Sequence, residues 1–315
     1  MSAREFSMLL TLGAIWGASF LFIKLGSQGF EPFALVEVRL ALAGLVLLAV
    51  NAHRKGQFSA LRANWRPLTV MGLLNCAVPY TLITWGEHYI NSGLAAIYNA
   101  SSPLWAALLL ALLPASSERL TGVRLLGLAC GMLGVILLVS GNLNLAMEDP
   151  LHLVGQLACL LAAVSYAVAG LYGRRALVGV PTTVSATGQL VTGAIMLMPL
   201  AALQLPQRMP SWLSIGAVVA LAILGTALAS MMYYWLLGRV GTTGTLLVTY
   251  LLPGFALMWG ALFLSEQITL TAVLGLALVL LGIAITSGSG PKLVAAVVRL
   301  RRGRMSGGGT GSLPV

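Results

Sequence analysis

Apolar runs of roughly 18–22 residues recur from one end of this chain to the other, each long enough to cross a ~30 Å hydrocarbon core as a helix. Ten such spans are expected, near 7–25, 32–51, 68–90, 94–114, 122–141, 151–171, 182–203, 211–237, 243–264 and 269–287. The breaks between them are short and carry ordinary turn residues, such as "SQGFEP", "HYINSG", "GRRALVGVP" and "LSEQ". Transmembrane β-strands are ~10-residue alternating segments, so runs of this length exclude a barrel. Only 8% of the residues are charged, against about a quarter in a soluble domain. The fold class is an all-α polytopic membrane protein, with no room for a soluble domain between the spans. The opening "MSAREF" is a meagre charged region with no A-x-A site after a short apolar core, so a retained first helix is expected rather than a signal peptide.

The net charge of +10 raises the question of nucleic acid, and its distribution answers it. With ten crossings and the N-terminus inside, the cytoplasmic side receives Arg4, Arg54, Lys55, Arg62, Arg66, Arg119, Arg124, Arg174, Arg175, Arg239 and the tail cations. The other side receives Lys24 and Arg208. That is the positive-inside asymmetry, which places both termini in the cytoplasm and makes the basic charge an orientation signal. No nucleic-acid partner is expected; membrane lipids and a small solute are. Cys76, Cys130 and Cys159 stand singly in apolar spans without metal spacing, so no metal or cofactor is expected and the three read as small core residues. The chain is expected to act as a monomer in the cell's inner membrane.

The second half of the chain repeats the first. With Glu118 aligned to Glu266, glycines follow nine and sixteen residues later in both copies, at Gly127 and Gly134 and at Gly275 and Gly282. Upstream, Pro103 aligns with Pro253, Trp85 with Trp235, Lys24 with Arg174, and Arg39 with Gln189. This is a duplication of five spans, residues 1–145 and 146–288, followed by a basic tail over 289–315. Because five is odd, the copies enter the membrane from opposite sides. Inverted repeats of this kind place a substrate site near the midplane, between the halves, and suit alternating access.

The same residues carry a family resemblance. "LGAIWGASFLFIKLG" and "EPFALVEVRLALAG" resemble the first two helices of the drug/metabolite transporter superfamily, EamA-type. "YINSGLAAIYNASSPLWAALLLALLPASSERLTGVRLLGLACGMLGVILL" is similar to its fourth and fifth helices, and "LLVTYLLPGFALMWGALFLSEQITLTAVLGLALVLLG" to its ninth and tenth. The resemblance implies a ten-helix exporter of small metabolites, including amino acids and their relatives. The second copy departs at the positions of Trp16 and Arg39, where it has Ser165 or Tyr166, and Gln189.

The candidate site residues follow from chemistry at mid-depth. Tyr98, Ser101 or Ser102, and Trp105 recur at one-face helical spacing. Pro103 leaves a carbonyl near Asn99 without its usual donor, and such a carbonyl needs an internal partner or a wet cavity. Pro79 and Pro253 are expected to break their helices in the same way. Trp16, Ser19, Tyr80, Tyr166, Tyr234 and Tyr250 would supply the ring faces and hydroxyls of a pocket; the competing reading is an aromatic belt at the interface, to which Trp85, Tyr89 and Trp235 are assigned. Arg39 and Glu37 are intramembrane charges, costing at least ~2.5–3.5 kcal/mol each at a helix centre, so each must face protein or water. Arg39 can hold a carboxylate or bond helix-end carbonyls. Glu118 and Glu266 are expected to cap the helices that follow them. His88 reads as a solvated loop histidine.

Together these features favour a secondary transporter that exports small organic metabolites, neutral amino acids first, by alternating access. A lipid flippase or channel-like facilitator is the alternative. A membrane-embedded enzyme would need paired acids, a Ser–His pair or a metal cluster at depth, and the sequence offers none. A Walker A motif, needed for ATP-driven pumping, is likewise missing from the chain. The topology is checked with single cysteines at Ser59 and at Asn142 in a Cys-free background. An impermeant thiol reagent added to intact cells is expected to label only the second, and the reverse pattern overturns the orientation.

Overall fold

The computed structural model describes residues 1–112, 121–141 and 149–287. Glu118, Arg119, Asn142 and the tail over 289–315 lie outside the described residues. Among the described residues the chain is helical throughout, without strands. The spans are α1 Ala3–Gly26, α2 Pro32–Asn51, α3 Trp65–Gly86, α4 Ser92–Leu112 and α5 Gly122–Gly141, then α6 Pro150–Ala176, α7 Thr182–Ala202, α8 Trp212–Gly241, α9 Val248–Leu264 and α10 Leu270–Thr286. Eight are long and apolar enough to cross a membrane, and α9 and α10 are apolar helices of 17 residues, ~25 Å at 1.5 Å per residue. The ends of these helices are set by local chemistry. Ser2 and Glu5 form a reciprocal capping box at α1, Asp149 caps α6 ahead of Pro150, and Thr269 caps α10. A short helix, Gln57–Ala63, occupies what the sequence suggests is a loop between α2 and α3.

The helices pair as an inverted duplication requires. α1 packs on α9 as α6 packs on α4, and α1 on α8 as α6 on α3. The pairs α2 with α7 and α5 with α10 map onto themselves under the same exchange. The fold is ten helices in two inverted five-helix repeats. Below, the end of the bundle where α1 begins and α10 ends is the terminal face, and the other end is the far face.

Lipid supplies no hydrophobic drive between helices, so close packing must. The α5–α10 seam shows it most sharply: a Cβ on Gly282 would lie 2.4 Å from the Gly131 backbone, and one on Gly134 would lie 2.9 Å from the Gly275 carbonyl oxygen. The glycines shared by the two copies therefore serve backbone contact between the copies themselves.

Among the described residues, α3, α4 and α8 depart from regular geometry. α3 contains a π-turn at Leu73–Ala77 and α8 one at Ile223–Leu228, which are equivalent positions in the two repeats. Pro79 sits just after the first: with no N–H to continue the ladder, its break appears as a widened turn, not a chain interruption. α4 is broken at Ser101 into Ser92–Ala100 and Ser102–Leu112. Pro253 does not break its helix, contrary to expectation, and α9 runs through it. The break before Pro103 is therefore not repeated at Pro253; the inverted copy is interrupted earlier, at the turn Leu246–Leu247 that precedes α9.

Gly282→Ala is expected to destabilise the detergent-extracted protein by roughly 1–3 kcal/mol, the usual penalty for overpacking. Gly254→Ala, where an added methyl meets nothing within 4 Å, serves as the control. Equal melting temperatures for the two variants would contradict the close seam.

Candidate functional site

A cavity of about 530 Å³ lies between the repeats, within the ~300–1,000 Å³ usual for small-molecule sites. Its middle is built around the two π-turns. Arg39 on α2 is only 6% exposed, yet it lines the cavity. Its Nε donates to Thr226 Oγ1 at 2.9 Å, inside the α8 π-turn. Its guanidinium carbon lies 3.7 Å from the centre of the Tyr80 ring, a cation–π contact worth up to ~2 kcal/mol where water is excluded. Arg39 thus binds a side chain and a ring, not the helix-end carbonyls considered from sequence.

The pseudo-symmetric image of this contact is uncharged. Gln189, the counterpart of Arg39, accepts from Asn75 Nδ2 at 2.9 Å, inside the α3 π-turn. Each repeat therefore ties its second helix to the π-turn of the other's third. Only one of the two ties is charged.

The π-turns also release backbone carbonyls, and hydroxyls satisfy them. Ser165 Oγ donates to Leu74 O at 2.7 Å and Thr226 Oγ1 to Leu221 O at 2.9 Å. At the α4 break Ser102 Oγ donates to Asn99 O and Ser101 Oγ to Tyr98 O, both at 2.6 Å. The carbonyl freed by Pro103 is met locally. The side-chain oxygen Oδ1 of Asn99 is buried at the cavity without a partner.

One wall is aromatic. Trp16 on α1 tilts against Tyr233 with ring centres 5.6 Å apart, and Tyr233 meets Tyr234 edge-on at 5.4 Å. Ser19, Tyr80, Asn99, Ser102, Pro103, Tyr166 and Tyr234 all line the cavity with Trp16 and Arg39. Three expected residues do not. Tyr98 is fully buried with its hydroxyl donating to Gln156 Oε1 at 2.7 Å. The Trp105 indole donates back to Ser101 Oγ, and Tyr250 meets Ser287 at 3.4 Å. The single stripe along α4 is lost because the helix breaks within it. Tyr233, Asn75, Thr226 and Gln189 join the lining. The first three are mid-span polar or aromatic residues of α3 and α8, a signal the sequence reading passed over.

The lining continues to Leu177, Ser185 and Leu246 at the terminal face. At the far face the helix ends are tied together. Lys24 Nζ donates to the carbonyls of Glu87 and Ile90, Phe33 N to Gln204 Oε1 at 3.0 Å, and Ser214 Oγ to Leu25 O at 3.1 Å. Glu266 corrects the sequence reading. It caps α4, accepting from Ser92 N at 2.8 Å, Ser92 Oγ at 2.9 Å and Gly93 N at 3.2 Å, while Thr269 caps α10. Arg174, the counterpart of Lys24 at the terminal face, is exposed. The far face is the latched end: among the described residues Arg174 makes no bond equivalent to that of Lys24, and the terminal face has the longer contacts Asn51 Nδ2 to Thr187 Oγ1 and Tyr250 to Ser287, both at 3.4 Å. His88 is exposed, its Nδ1 donating to Thr84 O at 3.0 Å.

Residues 4–140 and 153–288 each match the model described as the EamA-like transporter family. The chain is 28% identical over 287 residues to the uncharacterized inner membrane transporter YedA of Escherichia coli, covering 90% of each chain. It is 22% identical to the uncharacterized transporter YoaV of Bacillus subtilis, over 87% of this chain and 94% of that one. A solved crystal structure at 22% identity has the same fold, with a TM-score of 0.62 over 91% of this chain and 98% of the other.

Tyr98→Phe and Trp16→Ala are expected to separate scaffold from cavity. The first strands Gln156 Oε1 without its tyrosine donor and should lower stability by roughly 0.5–1.7 kcal/mol with solute efflux retained. The second should melt near the wild type and lose efflux. A Tyr98→Phe variant that melts like the wild type but has lost efflux would return Tyr98 to the cavity wall.

Proposed function

This chain belongs to the EamA-like transporter family, and we propose that it exports a small carboxylate-bearing metabolite, a neutral amino acid or close relative, by alternating access. The observation that carries this reading is Arg39. It is the one charged side chain on the cavity wall among the described residues, and only its Nε is committed to a protein hydrogen bond. Its remaining N–H donors form the planar fork that takes a carboxylate through two parallel bonds. Tyr80 holds that fork from behind, so little side-chain freedom is lost when a solute binds.

The rest of the wall fits a partner with one anionic end. Trp16, Tyr233 and Tyr234 offer ring faces, and Asn99 Oδ1 an unused acceptor for an ammonium or hydroxyl group. A phosphate ester or nucleotide would call for several convergent cations, whereas this wall has one. With the Lys/Arg-rich side in the cytoplasm of the inner membrane, the terminal face is cytoplasmic. The cavity then faces the cytoplasm and the latched end is external, a state ready to load from inside. Exchange of the latch from one end to the other completes the cycle, and the inverted repeats give both ends related geometry.

Counter-flow in proteoliposomes tests this. Vesicles loaded with each unlabelled neutral amino acid in turn are expected to take up the radiolabelled form for at least one of them. Arg39→Gln, which installs the residue of the other repeat, should cut that exchange at least tenfold, and the loss should be smaller for the matching amino-acid amide. Equal losses for acid and amide would remove Arg39 from carboxylate recognition. Scrambling of labelled phospholipid with no amino-acid exchange would replace the export reading with a flippase.

A further inference from the structure

The latched far face contains a group that neither solute binding nor packing uses. Glu87 lies in the turn just past α3, between α3 and α4. Its side chain is 0% exposed, and neither carboxylate oxygen has a hydrogen-bond donor. Lys24 Nζ donates to the backbone carbonyls of Glu87 and Ile90, so these bonds hold the turn and give the carboxyl group no donor. A carboxylate withdrawn from water without donors is strongly disfavoured relative to the neutral acid. The contrast with Glu266 is direct: that carboxylate, a neighbour in the same cluster, accepts three hydrogen bonds from the start of α4.

We propose that Glu87 is a proton-binding site that operates the far-face latch, closing it when the carboxyl group is protonated and releasing it when the proton is lost to far-face water. This rests on the alternating-access reading, to which it adds a ligand, H⁺, and a sign. In the closed state four groups face Glu87 from the elements packed around it: Lys24 from α1, Glu266 from the α9–α10 turn, Arg39 from α2 and the Cys159 thiol from α6. His88, beside it in the chain, points to solvent. Burial raises the proton affinity of Glu87 well above that of an ordinary carboxyl group, Lys24 opposes this, Glu266 reinforces it and Arg39 opposes it. When the latch opens, water reaches the carboxyl group and its affinity falls toward the usual carboxylate range. The closed state is therefore the one that binds the proton. Its stabilisation is complete at low pH and is lost as pH rises through the closed-state pKa, above the ordinary carboxylate range. One proton changes the closed-to-open ratio by at most about tenfold per pH unit.

Position makes the latch relevant to transport. Ile83, one helical turn toward the midplane from Glu87, lines the solute cavity. The carboxyl group thus sits in the plug between cavity and far-face water. If the far face is the cell exterior, external acid closes the emptied carrier and returns it to the loading state.

The test measures spin-label distances in the full-length protein in liposomes from pH 5 to pH 9. Labels are placed at Gln28→Cys and Asn91→Cys, exposed positions flanking the Lys24 contact, after Cys76→Ala, Cys130→Ala and Cys159→Ala. The wild-type background is expected to show short and long distances, with the short one gaining as pH falls. Glu87→Gln, a permanently neutral mimic, should hold the short distance at every pH. Glu37→Gln, which alters the half-buried carboxyl group of α2, should titrate like the background. Lys24→Gln removes both the tie to the turn and the cation that favours the charged form, so it should lower the short fraction overall while extending its pH response to higher pH; this variant carries the test even if Glu87→Gln fails to fold. Two distances whose ratio ignores pH, or a Glu87→Gln variant that titrates like the background, would overturn the latch while leaving alternating access intact. A single short distance at every pH in all variants would overturn alternating access and the latch with it.

Discussion

In hydrocarbon every backbone N–H and C=O must find its partner inside the protein, and each irregular feature of this molecule answers to that requirement. Among the described residues, the two π-turns and the break in α4 all border the cavity or supply its lining. At each, a hydroxyl takes over a released carbonyl: Ser165 at Leu74, Thr226 at Leu221 and Ser102 at Asn99. Pro79 explains the first π-turn, but the second has Ala229 in the matching position. The geometry has outlasted the residue that would enforce it, which ties the π-turns to the site more than to proline.

The duplicated architecture gives the site two related halves, and chemistry separates them. Both π-turns are tied to the second helix of the opposite repeat. One tie uses Arg39 and the other Gln189. A symmetric pair of cations would have doubled the desolvation cost and favoured a doubly charged solute. The charge on one side only gives a small molecule a defined orientation in a cavity whose scaffold has nearly none.

Much of the fold was legible in the sequence because span length, loop punctuation and a repeat near 150 residues are one-dimensional signals. The pocket was legible in part. Trp16, Arg39 and Tyr80 stand out as expensive or amphipathic groups at mid-depth, and the structure places them on one cavity. Tyr98 stands out for the same reason, yet it points into the protein at Gln156, since a hydroxyl at depth needs a partner and sequence does not say which. The stripe through Trp105 failed because a helix break resets the phase on which one-face spacing depends. Asn75, Thr226 and Tyr233 were missed because a π-turn shifts the phase in the same way. Glu266 was read as a helix cap; that the helix is α4, 174 residues earlier, is a tertiary fact.

That last contact reaches into the birth of the protein. The N-terminus of α4 leaves the ribosome long before the carboxylate that satisfies its exposed N–H groups, and at ~5–20 residues per second the separation of 174 residues amounts to ~9–35 s. Through that interval the first repeat sits in the membrane with a helix end that only water, lipid headgroups or an insertion factor can serve. The first repeat reaches its finished form when the final hairpin arrives, so the ancestral half cut from this chain would emerge as an unfinished piece and not as a smaller carrier.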